Sequence, residues 1–337
     1  MGLLSNNNDS IGVVLLNLGG PDSLQAVRPF LYNLFSDRDI IRLGPSFLQK
    51  PLAWLISMLR SKKTQGMYGR IGGKSPILDI TTSQAAALEN ALNEKPAGAS
   101  GRPALQFKVF IGMRYWHPFI KDTIQRIAND GIRHLIVLSL YPHYSKATTG
   151  SSVNDFKKAV TAQGLHSQYI EQWPDFPPYI DALAELVADG ISRLKGNEFD
   201  LLYSAHSLPQ SFIDEGDPYL DHIRTTMEHV NTRVSRAPYN ITGYKSLLSF
   251  QSKTGPVKWL APSTEETIIH LSRGGCKNLL VVPISFVSDH IETLYEIDIL
   301  YKELAAKHGI NLIRCEALNT SEKFILALKQ LVLAQLV

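Results

Sequence analysis

Seven short runs rich in Val, Ile and Leu set the tightest limit on what this chain can fold into: 11–18, 107–112, 134–141, 200–204, 245–250, 278–286 and 311–315. Most are near-continuous rather than alternating, which is how strands buried on both faces read. Between them lie segments of helical period at 24–34, 83–92, 118–129, 179–194, 219–234 and 264–271. Strands that alternate with helices predict an α/β fold, with right-handed crossovers and parallel sheets covered by helices on both faces.

Two stretches are alike. TIQRIANDGIRHLIVLSLYPHYS begins at Thr123, and TIIHLSRGGCKNLLVVPISFVSD begins 144 positions later at Thr267. Each runs helix, glycine, basic residue, buried strand and polar turn. Gly131 and Gly275 fall where a helix end needs a left-handed residue. The repeat predicts two related α/β domains, 1–165 and 166–320, joined near 165–178, with a helix over 321–337 folding back on the first domain. Ligands of open α/β sheets bind beyond the carboxyl ends of the strands, and a cleft between two such domains is where those turns are expected to gather.

Acids and bases are interspersed and the net charge is +3, with no Lys/Arg block of the kind that binds nucleic acid. Cys276 and Cys315 are the only cysteines, which excludes a disulfide framework and a four-cysteine cluster and suits a reducing, cytoplasmic home. The first residues lack the features of a signal peptide, and no apolar run reaches the ~20 residues of a membrane span. The segment 47–63 begins FLQKPLAWLISML and ends in Arg60, Lys62 and Lys63. It reads either as a surface that rests on a membrane or lips a pocket, or as an ordinary packed helix.

Several turns after strands carry chemistry. LGGPDS at 18–23 lacks the spaced glycines of a dinucleotide fingerprint, so Gly19 and Gly20 are expected to admit close approach of a ligand or a neighbouring turn. GGKS at 72–75 lacks P-loop spacing, and TTGSS at 148–152 is not a nucleophile elbow. Arg114-Tyr115-Trp116-His117 sets a cation beside flat rings, suited to a planar carboxylate ligand or to capping the core. His206 follows a buried strand between two serines, as a base, a metal ligand or a structural histidine.

SDHIETLYEID at 288–298 holds four carboxylates and a histidine. Read as an α-helix it takes Ser288 as its N-cap, places Asp289, Glu292 and Glu296 on one face, and leaves Asp298 in solvent. Like charges so spaced repel, and a cation or a proton relieves them. The residues offer hard oxygen donors with a histidine, suited to a divalent ion in transit.

Taken in order, LNLGGPDS, YGRIGGKSPI, GMRYWHP, YPHYSKATTGSS, SAHSLP, FQSKTGPVKWLAPST and VPISFVSDHIETLYEID resemble the ferrochelatases across nearly the whole chain. The resemblance implies two Rossmann-like domains and insertion of Fe²⁺ into a porphyrin. It implies His206 and Glu292 as the catalytic and metal-receiving pair, with His290 and Glu296 as a proton or metal path. Leu18, Tyr115 and Trp259 are expected to flank the macrocycle, with Arg114 and Ser75 near its propionates. The coproporphyrin-using branch typically has a tyrosine where this chain has Leu18, which points to protoporphyrin IX and protoheme. Many relatives carry a further acid where this chain has Leu300, so the path is expected to be shorter or to use Asp298. Fe²⁺ is substrate, no tightly bound cofactor is expected, and the extra cysteines of iron–sulfur members are missing. The competing readings are a non-catalytic tetrapyrrole binder and a chelatase for another tetrapyrrole. Oligomeric state is not readable.

Overall fold

A computed structural model of the chain describes residues 10–94, 105–194 and 198–336. Contacts divide the chain after Gln172 and again after Leu318, so the residues from 319 onward belong with the first unit.

In the first unit β1 (Ile11–Asn17) is buried along its whole length and pairs in parallel with β2 (Phe107–Met113) and β3 (His134–Ser139). β4 (His166–Ile170) extends the sheet beyond β3, giving the order β2-β1-β3-β4. Its helices are α1 (Val27–Ser36), α2 (Gln49–Gly69), α3 (Ile77–Asn93), α4 (Ile120–Asn129) and α5 (Ser151–Thr161). One face of the sheet, with Val14, Leu16 and Val137, packs against Ile124 and Ile127 of α4 and Phe156 of α5.

The second unit repeats the arrangement. It contains α6 (Pro177–Ser192), β5 (Asp200–His206), α7 (Gln210–Asp214), α8 (Tyr219–Val234), β6 (Lys245–Gln251), α9 (Thr264–Arg273), β7 (Asn278–Val282), α10 (Lys302–Lys307) and β8 (Asn311–Arg314). All pairings are parallel, in the order β6-β5-β7-β8. Each unit is thus a four-stranded parallel sheet flanked by helices, as the alternating runs predict. Gly131 and Gly275 both lie at positive φ, +74° and +87°, after their helices.

The structure departs from the sequence reading in several places. β4 and α5 fall outside the runs and periods that the sequence marks. HSQYI is short, polar and an edge strand, partly exposed for most of its length, so it lacks the apolar signal of its neighbours. α5 opens on two buried serines that read as a loop. Because β4 belongs to the first sheet, that unit runs to 172 and not 165. The run 278–286 stops being a strand at Val282, since Pro283 has no N–H for the ladder. The helix over 321–337 is α11 (Glu322–Leu333), which packs on α3.

Segment 47–63 divides between two of its readings. A short 3₁₀ turn, Ser46–Leu48, leads into α2, whose buried Ala53 and Ser57 lie on the face that meets α1. Phe47 is 76 % exposed, Leu59 70 % and Trp54 51 %, with Leu55 and Met58 also in solvent. Among the described residues no helix is long and apolar enough to cross a membrane.

Candidate active site

β5 and β6 end side by side in the second unit, with His206 paired to Gln251 in register. The backbone N–H of His206 donates to Ser285 Oγ (2.9 Å), and its carbonyl accepts from Tyr219 Oη (2.9 Å). These bonds fix the strand end and leave the imidazole half-buried. Its Nδ1 lies 2.8 Å from Glu292 Oε2. With the Nδ1 proton donated to the carboxylate, Nε2 is the lone-pair nitrogen of the neutral ring. Burial pulls the His206 pKa down, but the charge and hydrogen bond of Glu292 outweigh it, and the net shift is upward.

Glu292 begins a π-helical segment, Glu292–Tyr301, where the sequence reading expects an α-helix. Ser288 does not cap it, because the helical backbone starts at Ile291 and has no side-chain cap. Glu292 and Glu296 still share a face, which Ser252 occupies: its Oγ is 2.6 Å from Glu292 Oε2 and 2.6 Å from Glu296 Oε2. A hydroxyl has one hydrogen, so it donates to one carboxyl and accepts a proton from the other. The electrostatics assign the roles. Burial raises the Glu292 carboxyl, yet His206, His290 and Ser252 outweigh it and bring it down to about 2. Burial and the neighbouring charge of Glu292 push Glu296 up to about 7. Glu296 is thus the acid of the pair that takes up a proton more readily. Gln251 Nε2 donates to the Glu292 carbonyl at 3.1 Å and braces the same turn.

His290 is 8 % exposed, its ring 4.2 Å from that of Phe286 and its Nε2 3.9 Å from Glu292 Oε1. Burial draws its pKa down. Trp259 belongs to the same unit. Gln210 N–H donates to Lys258 O and Leu260 N–H to Leu208 O, which stitches the segment around Trp259 to the turn after His206. The Trp259 ring is half-buried, with Nε1 3.3 Å from Gly255 O. Among the described residues no three His, Cys, Asp or Glu side chains are grouped to enclose an ion. The unit offers a cation the open pair His206 and Glu292.

The remaining candidates stand in the first unit and are more enclosed than the sequence suggests. Arg114 Nη2 is 2.7 Å from Asp37 Oδ2, and Nη1 is 3.6 Å from Asp155 Oδ2. Tyr115 is 2 % exposed, and its hydroxyl donates to the same Asp37 oxygen at 2.7 Å, so its ring presents little surface to a ligand. Ser75 is 5 % exposed beneath the first-strand turn. A Cβ on Gly20 would lie 2.5 Å from Ser75 Oγ, and one on Gly19 3.1 Å from Trp116 N. The two glycines thus admit neighbouring turns, one of the alternatives left by LGGPDS. Leu18 is half-buried, its N–H held by Asn17 Oδ1 at 2.8 Å.

Two acids lie elsewhere than expected. Asp289 precedes the helix and Asp298 is not left to solvent: both are bound by Arg314. Ser252 and Gln251, which the sequence reading missed, carry one signal, their place at the carboxyl end of the run 245–250. Asp37, Ser151 and Arg314 carry none, because their partners are distant in sequence.

A family model for ferrochelatase matches residues 10–336. The chain is 49% identical over 328 residues to a ferrochelatase of Desulfotalea psychrophila, covering 97% of each chain. It is 51% identical over 328 residues to one of Geotalea uraniireducens, covering 96% of this chain and 97% of the relative. Among solved structures it resembles SirB from Bacillus subtilis with Fe³⁺, at a TM-score of 0.57 and 10% identity, covering 97% of this chain and 96% of that one. A multi-domain Deinococcus radiodurans protein, described as structurally similar to chelatases, gives a TM-score of 0.52 at 13% identity, covering 98% of this chain and 55% of that one. At such identities these two likenesses speak for the fold alone.

Proposed function

Since the chain belongs to the ferrochelatase family, and so is a porphyrin metallochelatase of heme synthesis, we propose that its porphyrin is protoporphyrin IX and that His206 and Glu292 perform the insertion. The observation that carries this is the 2.8 Å contact of His206 with Glu292, itself tied to Glu296 through Ser252. Metal insertion expels two pyrrole protons, so the site needs a base and an exit. His206 Nε2 accepts a proton from the ring, and the imidazolium so formed is stabilised by the Glu292 carboxylate. Glu296, with its pKa near 7, passes protons onward. Fe²⁺ exchanges its waters for nitrogen and oxygen donors, which the open pair supplies. Leu18 in place of the tyrosine of coproporphyrin users supports protoporphyrin IX.

The test is an anaerobic absorbance assay with Fe²⁺ and either protoporphyrin or coproporphyrin, run on the wild type and on His206→Ala. The expected result is preference for protoporphyrin and a loss in the variant of at least about 10²-fold. Preference for coproporphyrin, or turnover retained without His206, would sink the corresponding half of the reading.

We further propose that the protein rests on a membrane surface through the exposed Phe47, Trp54 and Leu59, beside Arg60, Lys62 and Lys63. Such a surface suits a sparingly soluble porphyrin. Co-sedimentation with anionic vesicles, lost in Phe47→Ser/Leu59→Ser, is the expected result; failure of the wild type to co-sediment counts against it.

A further inference from the structure

The four carboxylates of Asp289, Glu292, Glu296 and Asp298 divide into two pairs, and one side chain does the dividing. Arg314 ends β8, aligned with Val281 of β7, and its side chain is 8 % exposed. Its Nε lies 3.0 Å from both carboxylate oxygens of Asp298, and Nη2 lies 2.9 Å from Oδ2. Its Nη1 reaches Asp289 Oδ1 at 2.9 Å. One guanidinium therefore grips an acid just before the π-helical segment and another near its far end.

The grip extends to the site itself. Asp289 Oδ1 also accepts from Thr293 Oγ1 at 2.9 Å, and Thr293 Oγ1 accepts the His290 backbone N–H at 3.0 Å. The residues on either side of Glu292 are thus tied, link by link, to Arg314. The planar fork sets angle as well as distance, which a lysine ammonium does not. The two acids that Arg314 holds are each bound to a cation, while Glu292 and Glu296 are bound to Ser252. Without that sorting, four carboxylates would compete for an incoming divalent ion, and two of them are not aligned with His206.

We propose that Arg314 is a positioning residue for metal insertion, fixing both ends of the segment that bears His290, Glu292 and Glu296 and withholding Asp289 and Asp298 from the substrate cation. This rests on the reading of His206 and Glu292 as the insertion pair.

The experiment follows insertion of Zn²⁺, a divalent ion that air does not oxidise, into protoporphyrin by the full-length protein. It compares the wild type with Arg314→Lys, Asp298→Asn and Glu292→Gln, recording kcat, KM for each substrate and the thermal midpoint. Arg314→Lys keeps the charge but loses the fork. Its kcat per folded molecule is expected to fall about fivefold or more, with porphyrin KM within about twofold of wild type. Asp298→Asn, at a partly exposed acid, is expected to lower kcat about threefold while folding normally, and it carries the test if the lysine variant does not fold. Wild-type kcat and metal KM in the folded variants would overturn the inference, as would losses that vanish once the folded fraction is counted. Wild-type turnover in Glu292→Gln would instead overturn the site reading beneath it.

Discussion

Each unit holds a network of hydrogen bonds around buried carboxyl groups, and the two behave oppositely. In the first unit the Asp37 oxygen Oδ2 accepts from Arg114, Tyr115 and Ser151, at 2.7, 2.7 and 2.6 Å. Burial raises that carboxyl, but the two hydroxyls and the Arg114 charge outweigh it and hold it below the usual range. In the second unit two carboxyl groups share one hydroxyl, beside the His206 imidazole. Among the described residues no lysine or arginine is paired with Glu292 or Glu296. Donors saturate the first cluster, and acceptors outnumber donors in the second. A saturated carboxylate is structural; an undersupplied pair invites a proton or a cation. Burial is common to both, and donor balance separates them.

Substitution at Asp37 is expected to do most damage. Asp37→Asn leaves Arg114 only the more distant Asp155 as an acidic partner and should cost about 2–3 kcal/mol of stability, with kcat per folded molecule changed less than about threefold. Denaturant titration beside a turnover assay checks it. A stable but inactive variant would make the first cluster functional and end the contrast.

Ser252→Gly sharpens the other side. Ser252 sits at φ +66°, a left-handed conformation that glycine adopts freely. Relief of strain roughly offsets the added chain entropy, so stability should hold within about 1 kcal/mol. Loss of the bridging hydroxyl should lower kcat about tenfold, near 1.4 kcal/mol. Unchanged turnover would show that sharing one hydroxyl has no bearing on the reaction.

At Glu296 the expected effect is a slope. Glu296 titrates at about 7 in the fold against an ordinary 4.5. Between those values the folded state keeps a proton that the unfolded chain has released, so wild-type stability falls as pH rises through that window. Glu296→Gln removes the fall. Its stability relative to wild type should improve from pH 5 to pH 8, by under about 1 kcal/mol per pH unit. A flat difference across that range would leave Glu296 an ordinary carboxylate.

Much of the fold and of the site is legible in the order of residues alone. The buried runs mark β1, β3, β5 and β7, since a strand covered on both faces has no polar side to disguise it. His206 stands out as a histidine at a strand end and Glu292 as one of a dense set of acids, brought to 2.8 Å by the fold. What escapes is of two kinds. β4 lies at a sheet edge, where polar residues are tolerated and the apolar signal fades. The π winding of Glu292–Tyr301 adds less than one residue per turn, which eleven residues of sequence do not distinguish from an α-helix. Nothing beside Arg114 and Tyr115 in the sequence shows that they share Asp37, 77 and 78 positions away in the chain.

The return of α11 to α3 has a consequence for biosynthesis. The first unit is interrupted by the whole of the second, so a ribosome completes residues 173–318 before it makes the helix that finishes the first unit. The usual amino-to-carboxyl order of domain completion is reversed. A chain released before Glu322 has every element of the second unit but a first unit whose α3 lacks the helix that packs on it.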